Sequence, residues 1–339
     1  MENKKKSIWF NVDRTLSHNC YINMITGNRG VGKTYNSLKR CIKNFLNKGE
    51  QFVYMRRYKS EMEGGKKEAI FNSLIADRVF PDHELTVKGW KMYCDGKEMG
   101  FFIPLSCSQS FKSVSYDLVT TIIFDEFIVD KAHIRYLKDE MNVFFDVLET
   151  VFRMRENVRV LMLSNAISIY NPYFVFYGVK NLDMSKEFNK PAPDVLIQYV
   201  KNEAYIEAKK NSRLGRLIHG TEYEKYSVEN EWLLDNKHFV AQKTNAAKNM
   251  YNITYMSHTF GVWIDYDEGK FYCSRKYNKN RNLHYVLTNS DFKPNTLLIM
   301  GAKKDPVLKL FVENYKLGNV LFEDNNIKST FIEIFQLLC

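Results

Sequence analysis

Short apolar runs recur through the first half of the chain and somewhat beyond it. They occupy 21 to 26, Gln51-Phe52-Val53-Tyr54-Met55-Arg56, Thr120-Thr121-Ile122-Ile123-Phe124-Asp125, Val158-Arg159-Val160-Leu161-Met162-Leu163 and Val195-Leu196-Ile197-Gln198-Tyr199-Val200. Runs this short, nearly continuous and rich in β-branched and aromatic side chains, suit strands buried on both faces. Between them the spacing turns helical. Residues 33 to 46 read as a helix, and over 139 to 155 a stripe of Met141, Phe144, Phe145, Leu148 and Phe152 recurs at helical spacing and faces a core. Strand alternating with helix predicts βαβ units and a mainly parallel sheet flanked by helices. One antiparallel insertion interrupts it, from Leu85 to Leu105 with a turn at Asp95-Gly96. After about residue 204 the texture becomes polar and basic, and from about 234 the segments 251 to 256, 259 to 265 and 270 to 274 alternate as an antiparallel meander, followed by helical patterns at 304 to 317 and 327 to 338. The division expected is an α/β domain over 1–204, a linker subdomain over 205–233 and a smaller α+β domain over 234–339. No internal repeat or low-complexity tract is visible.

The joint between the first strand and the first helix carries the strongest chemical signal. Gly27-Asn28-Arg29-Gly30-Val31-Gly32-Lys33-Thr34 follows a strand and opens a helix, the setting of a phosphate-binding loop. Its glycines let backbone N–H groups turn toward phosphates, Lys33 brings a point charge to the β and γ phosphates, and Thr34 offers a hydroxyl to Mg²⁺. The helix adds its positive end. ATP and Mg²⁺ are therefore the expected ligands. A second strand ends in Asp125-Glu126. Beside a phosphate loop the first carboxylate would serve the metal site and the second would orient and deprotonate the attacking water, because both strand ends meet at the edge of a parallel sheet where ligands sit. A third strand ends in Leu163-Ser164-Asn165; Asn165 either touches the γ-phosphate or lytic water or caps the following turn.

Basic residues near these strand ends admit two readings each. Arg153 and Arg155, at the end of helix 139 to 155, either complement the helix dipole or, in a ring of subunits, reach a neighbour's γ-phosphate, whose oxygens a guanidinium matches in geometry. The run Arg56-Arg57-Tyr58-Lys59 is either a phosphate contact in cis or in trans or a solvated loop, and Lys131, Arg135 and Lys138 could touch DNA phosphates.

Composition narrows the partners. Lys and Arg number 49 against 39 Asp and Glu, a net charge of +10 that favours an anionic partner such as nucleic acid. Six scattered cysteines without CxxC spacing argue against a disulfide framework or a zinc site, and a reducing compartment follows. No run of about 18 apolar residues occurs, so no membrane association is expected. The seven histidines form no close pairs and no GxSxG motif is present, which leaves zinc and acyl-transfer chemistry without support.

Taken together, these motifs make the chain resemble the double-stranded DNA packaging ATPases of the phi29-like phages. The likeness is carried by 27 to 34, 51 to 59, Phe80-Pro81-Asp82-His83-Glu84-Leu85, Ile103-Pro104-Leu105-Ser106, Phe124-Asp125-Glu126-Phe127, Thr150-Val151-Phe152-Arg153 and Leu163-Ser164-Asn165-Ala166. Asn171-Pro172-Tyr173-Phe174, Gly220-Thr221-Glu222-Tyr223 and Gly261-Val262-Trp263-Ile264-Asp265 extend it. The resemblance implies a P-loop ATPase domain of the additional-strand catalytic-glutamate type. It implies a homopentameric ring on the portal, or connector, of an empty procapsid in the host cell cytoplasm, driving double-stranded DNA inward. It assigns Lys33 and Thr34 to the phosphate loop, Asp125 and Glu126 to metal and catalysis, Arg153 to a finger given to the next subunit, and Lys59 to the subunit boundary. It also implies a C-terminal domain resembling a degenerate ribonuclease H-like fold that docks on the vertex, in some relatives through a structural RNA. A working two-metal nuclease would need several converging carboxylates. Asp265, Asp267 and Glu268 could begin such a site, but Glu313, Glu323, Asp324 and Glu333 show no spacing that completes it. Lys303-Lys304 and the cluster Arg275, Lys276, Lys279, Arg281 suit a nucleic-acid backbone or form a solvated face. The rivals are a terminase-like ATPase with an active nuclease and a non-hydrolysing, nucleic-acid-binding capsid-vertex protein.

Overall fold

Where strands are buried on both faces their backbone polar groups must be paired by neighbouring strands, and the apolar runs satisfy this in one large sheet. The computed structural model describes residues 9–129, 135–137, 139–165, 171–179, 186–221, 224, 239–299 and 305–338. The chain separates into two compact units, one of 1–130, 142–167 and 181–233 and one of 131–141, 168–180 and 234–339. The units interleave along the chain, unlike the linear division expected at 204 and 233. Segments 131–141 and 168–180 count with the second unit, and 205–233 with the first. Lys131, Lys138, Ala166, Glu222, Tyr223, Lys303 and Lys304 lie outside the described residues.

The first unit runs α1 (Val12–Leu16), β1 (Ile22–Gly27), α2 (Lys33–Lys48), β2 (Gln51–Arg56), α3 (Asn72–Ala76), β3 (Leu85–Lys88), β4 (Lys91–Cys94), β5 (Lys97–Pro104), β6 (Val119–Asp125), α4 (Glu140–Phe152) and β7 (Arg159–Asn165). It resumes with β8 (Phe188–Ala192), β9 (Val195–Val200), α6 (Glu203–Lys210) and α7 (Arg213–Leu217); α5 (Pro172–Phe176) and the first two residues of α4, Glu140 and Met141, count with the second unit. The nine strands are ordered β3-β4-β5-β2-β6-β7-β1-β9-β8. The six from β5 to β9 in that order are parallel neighbours, and the outer pairs β3-β4, β4-β5 and β8-β9 are antiparallel. The 85–105 insertion is thus three strands and not a single hairpin, with β5 carried into the parallel sheet. One strand, β7, stands between β1 and β6, the additional strand that the family resemblance implies. Leu38, Cys41 and Ile42 of α2 pack with Ile25, Phe52, Ile123 and Leu161 in the core of this unit.

The second unit contains a sheet ordered β14-β13-β10-β11-β12-β15, from β10 (Lys248–Tyr255), β11 (His258–Asp265), β12 (Lys270–Ser274), β13 (His284–Val286), β14 (Leu297–Leu298) and β15 (Val320–Phe322). An antiparallel meander β10-β11-β12 is flanked by β13 and β14, parallel to β10, the arrangement of a ribonuclease H-like sheet. Helices α8 (Pro306–Lys316) and α9 (Asn325–Leu338) bury Phe311, Phe331 and Phe335 against Tyr251, Phe260 and Phe271. Among the described residues no helix is long and apolar enough to cross a membrane.

Candidate functional site

Parallel register brings three strand ends to one edge. Gly27, which ends β1, pairs with Asn165 of β7 on one side and Val200 of β9 on the other, and Asp125 of β6 pairs with Leu163 of β7. The loop from Gly27 then turns into α2, whose first residues are Lys33 and Thr34. A cleft of about 280 Å³ opens there, lined among others by Arg29, Gly30, Lys33, Thr34, Asp125, Glu126, Ser164 and Asn165. The structure thus brings Arg29, Gly30, Gly32, Lys33 and Thr34 of the expected loop to one cleft with both carboxylates and Asn165, while Gly27, Asn28 and Val31 do not line it.

Lys33 is 7% exposed, and its ammonium donates to the carbonyls of Gly27 at 2.9 Å and Asn28 at 2.8 Å. Burial pulls its pKa down to about 7, Asp125 opposes that fall, and the like charge of Lys209 adds to it. Thr34 Oγ1 lies 3.2 Å from each carboxylate oxygen of Asp125. This pair of hard oxygens suits Mg²⁺, which takes oxygen ligands in tight octahedral geometry. The buried hydroxyl of Ser164 on the cleft wall makes no hydrogen bond among the described residues, which leaves it available to a bound oxyanion or water.

The carboxylates are set by residues that sequence reading placed elsewhere. The Tyr54 hydroxyl donates to Asp125 Oδ2 at 2.7 Å. Arg56 lies with Nη1 3.6 Å from Asp125 and Nη2 2.6 Å from Glu126 Oε2, and it also pairs with Glu61 at 2.9 Å. Burial works against the Arg56 charge, but Asp125 and the surrounding acids raise its pKa above the ordinary arginine value. Arg57 is 2% exposed and donates to the carbonyls of Glu126 at 3.2 Å and Phe127 at 2.6 Å. These two arginines therefore brace the turn after β6 and do not form a solvated loop. Glu126 itself sits at φ +56°, a left-handed backbone that L-residues adopt at a cost of roughly 1–2 kcal/mol.

Other expected residues stand apart from the cleft. Helix α4 ends at Phe152, three residues short of expectation, and Arg153 follows it in a left-handed conformation at φ +51°. Its side chain is 69% exposed and lies 3.9 Å from Asp117. Arg155 donates to the carbonyls of Tyr116 at 3.0 Å, Asp117 at 2.8 Å and Val151 at 2.5 Å, so it closes the helix end. Lys59 is 54% exposed and pairs with Glu63 at 3.4 Å. Arg135 is exposed in a segment counted with the second unit.

In the second unit the buried Asp265 carboxylate accepts from the Thr244 hydroxyl and from the amides of Asp267 at 3.0 Å and Glu268 at 3.1 Å. Those bonds, Thr244 foremost, hold it below the usual carboxylate range. Glu268 accepts from Tyr272 at 2.6 Å, Glu323 from Ser274 at 2.5 Å, and Asp324 pairs with Arg275. Each acid thus fastens a turn or strand end, and among the described residues no cluster of three metal-ligating side chains occurs in this unit.

The profile of the Podovirus DNA encapsidation protein (Gp16) family matches residues 4–338. The DNA packaging protein of Bacillus phage phi29 is 37% identical over 331 residues, 98% of this chain and 98% of that one. A chain of the bacteriophage Phi-29 viral genome packaging motor assembly superimposes with a TM-score of 0.69 at 37% identity, covering 97% of this chain and 99% of that chain. The N-terminal domain of the DNA packaging ATPase from bacteriophage phi29 matches with a TM-score of 0.54 at 43% identity, covering 59% of this chain and 100% of that domain. With its phosphate loop, its carboxylate pair and similarity along nearly the whole sequence, the chain belongs to the Podovirus DNA encapsidation protein (Gp16) family.

Proposed function

We propose that this chain is the ATP-hydrolysing subunit of a ring-shaped motor that drives double-stranded viral DNA into an empty procapsid. The observation that carries the reading is the convergence of Lys33, Thr34, Asp125 and Glu126 on one cleft at the strand ends. In it the amides of 27 to 34 and the Lys33 ammonium hold the polyphosphate. Bound Mg²⁺ would be held by Thr34 and Asp125, directly or through water, and would neutralise phosphate charge. Glu126, held in place by Arg56, takes a proton from the attacking water. The water oxygen bonds to the γ-phosphorus as the bond to the bridging oxygen breaks, and the electron pair leaves with ADP. Inorganic phosphate is the second product. Asn165, at the end of the strand beside Gly27, orients the lytic water or the γ-phosphate.

The outward position of Arg153 supports a role in a neighbour's cleft within a homopentamer, with Lys59 at the same boundary. The second unit serves as a docking module for the portal vertex or a structural RNA, its carboxylates fastening turns. The expected locale is the host cytoplasm, transiently on the procapsid.

Phosphate release measured with and without duplex DNA and empty capsids tests the reading. The parent protein should be stimulated by DNA, and Glu126→Gln should lower turnover about 10²–10⁴-fold, as loss of a general base does, while nucleotide binding persists. Turnover by Glu126→Gln at the parent's rate would remove Glu126 from its role. No phosphate release by the parent with every partner present would leave a binding protein.

A further inference from the structure

Helix α6 leaves the first sheet immediately after β9, and two side chains one turn apart on it close on the phosphate loop. The Tyr205 hydroxyl donates to the Arg29 carbonyl at 2.8 Å, and the Lys209 ammonium donates to the same oxygen at 3.2 Å. A planar trans peptide puts its N–H on the side opposite its C=O. Anchoring the Arg29 carbonyl against α6 therefore turns the Gly30 N–H away from the helix, and Gly30 is a wall of the cleft. Gly30 stands at φ +86°, and a Cβ there would come within 2.6 Å of the Tyr205 hydroxyl, so glycine permits both the backbone conformation and the approach of α6. The opposite flank is also fixed: Phe10 N–H donates to the Val31 carbonyl at 3.0 Å, and the Trp9 ring lies 6.2 Å from the Tyr205 ring.

We infer that Tyr205 and Lys209 form a nucleotide-responsive clasp, which sets the Arg29–Gly30 peptide for phosphate and makes the hold of α6 depend on whether the cleft is filled. The inference rests on the phosphate-loop reading and adds to it a positioning pair outside the loop and a route by which occupancy reaches the segment beyond the sheet. A carbonyl held by two donors polarises its own peptide, so the Gly30 N–H becomes a stronger donor to an oxyanion. Coupling of this kind is reciprocal: phosphate on Gly30 tightens α6, and loss of the α6 contacts weakens phosphate.

The experiment uses the full chain and a fluorescent, slowly hydrolysed ATP analogue. Tyr205→Phe keeps the ring and removes one donor; it should raise the dissociation constant about fivefold, the size of one neutral hydrogen bond, and raise KM by more than it lowers kcat. Lys209→Met should weaken binding similarly, whereas Lys209→Arg, which retains a charged donor, should restore most of it. Amide hydrogen exchange over 203 to 217 should slow when the analogue binds the parent, and slow less in Tyr205→Phe. An unchanged dissociation constant in Tyr205→Phe, whatever its melting temperature, or exchange over 203 to 217 that ignores the analogue, overturns the clasp. A parent protein that binds no analogue overturns the phosphate-loop reading itself, and the clasp with it.

Discussion

Lys33 is a buried ammonium at the cleft wall, and its proton should report the state of the cleft. Its ordinary pKa of 10.5 applies in the unfolded chain, against about 7 in the folded one. Between those values the unfolded chain binds more protons at this position, so the Lys33 contribution to folding becomes more favourable as pH rises from 7 to 10.5; below 7 the burial penalty is complete and constant. Phosphate restores the charge. Nucleotide binding should therefore take up roughly half a proton at pH 7 and close to one at about pH 8.5, with affinity falling as pH rises above 7. Calorimetry in buffers of different ionisation enthalpy reads that uptake directly; proton release over this range would contradict the assignment. Arg56 plays the complementary part, placing one guanidinium between Asp125 and Glu126 so that two adjacent acids remain together in a half-closed cleft.

At the level of elements, the close approach of β1 and β9 is the geometric condition for the loop. A Cβ on Gly27 would lie 2.4 Å from the Val200 carbonyl, a backbone atom that cannot step aside. Gly27→Ala should lower stability by about 1–3 kcal/mol through overpacking, seen in urea unfolding, and weaken nucleotide binding because the loop departs from a displaced strand. Unfolding like the parent's would show that β9 yields freely. The long apolar strands were legible: β2 and β9 fall on the residues expected, because a continuous buried run has few other homes. Short strands such as β8, with Asn189, Lys190 and Pro191 inside it, carry no periodic signal and are fixed only by the neighbour they pair with. The same limit hid the partners of the carboxylates. Tyr54 and Arg56 sit on the apolar run of β2, and only the adjacency of β2 and β6 reveals what they serve. Tyr205 was hidden likewise, since its value comes from β9 lying beside β1.

On the scale of the whole molecule, the trans role proposed for Arg153 can be tested by mixing subunits. Its exposed guanidinium lies 3.9 Å from Asp117 and does not line the phosphate-loop cleft. Mixing Arg153→Ala subunits with parent subunits should depress ATPase activity more steeply than dilution, and a linear decline would confine the arginine to its own subunit. The interleaving of the two units has a consequence for how the chain is made. Helix α5, with Tyr173 and Phe174 buried, belongs to a unit whose sheet and closing helices come only from 239 to 338. On the ribosome, at about 5–20 residues per second, this helix would wait roughly 10–30 s for the rest of its unit to be synthesised. The second unit can therefore close only once nearly the whole chain has been synthesised.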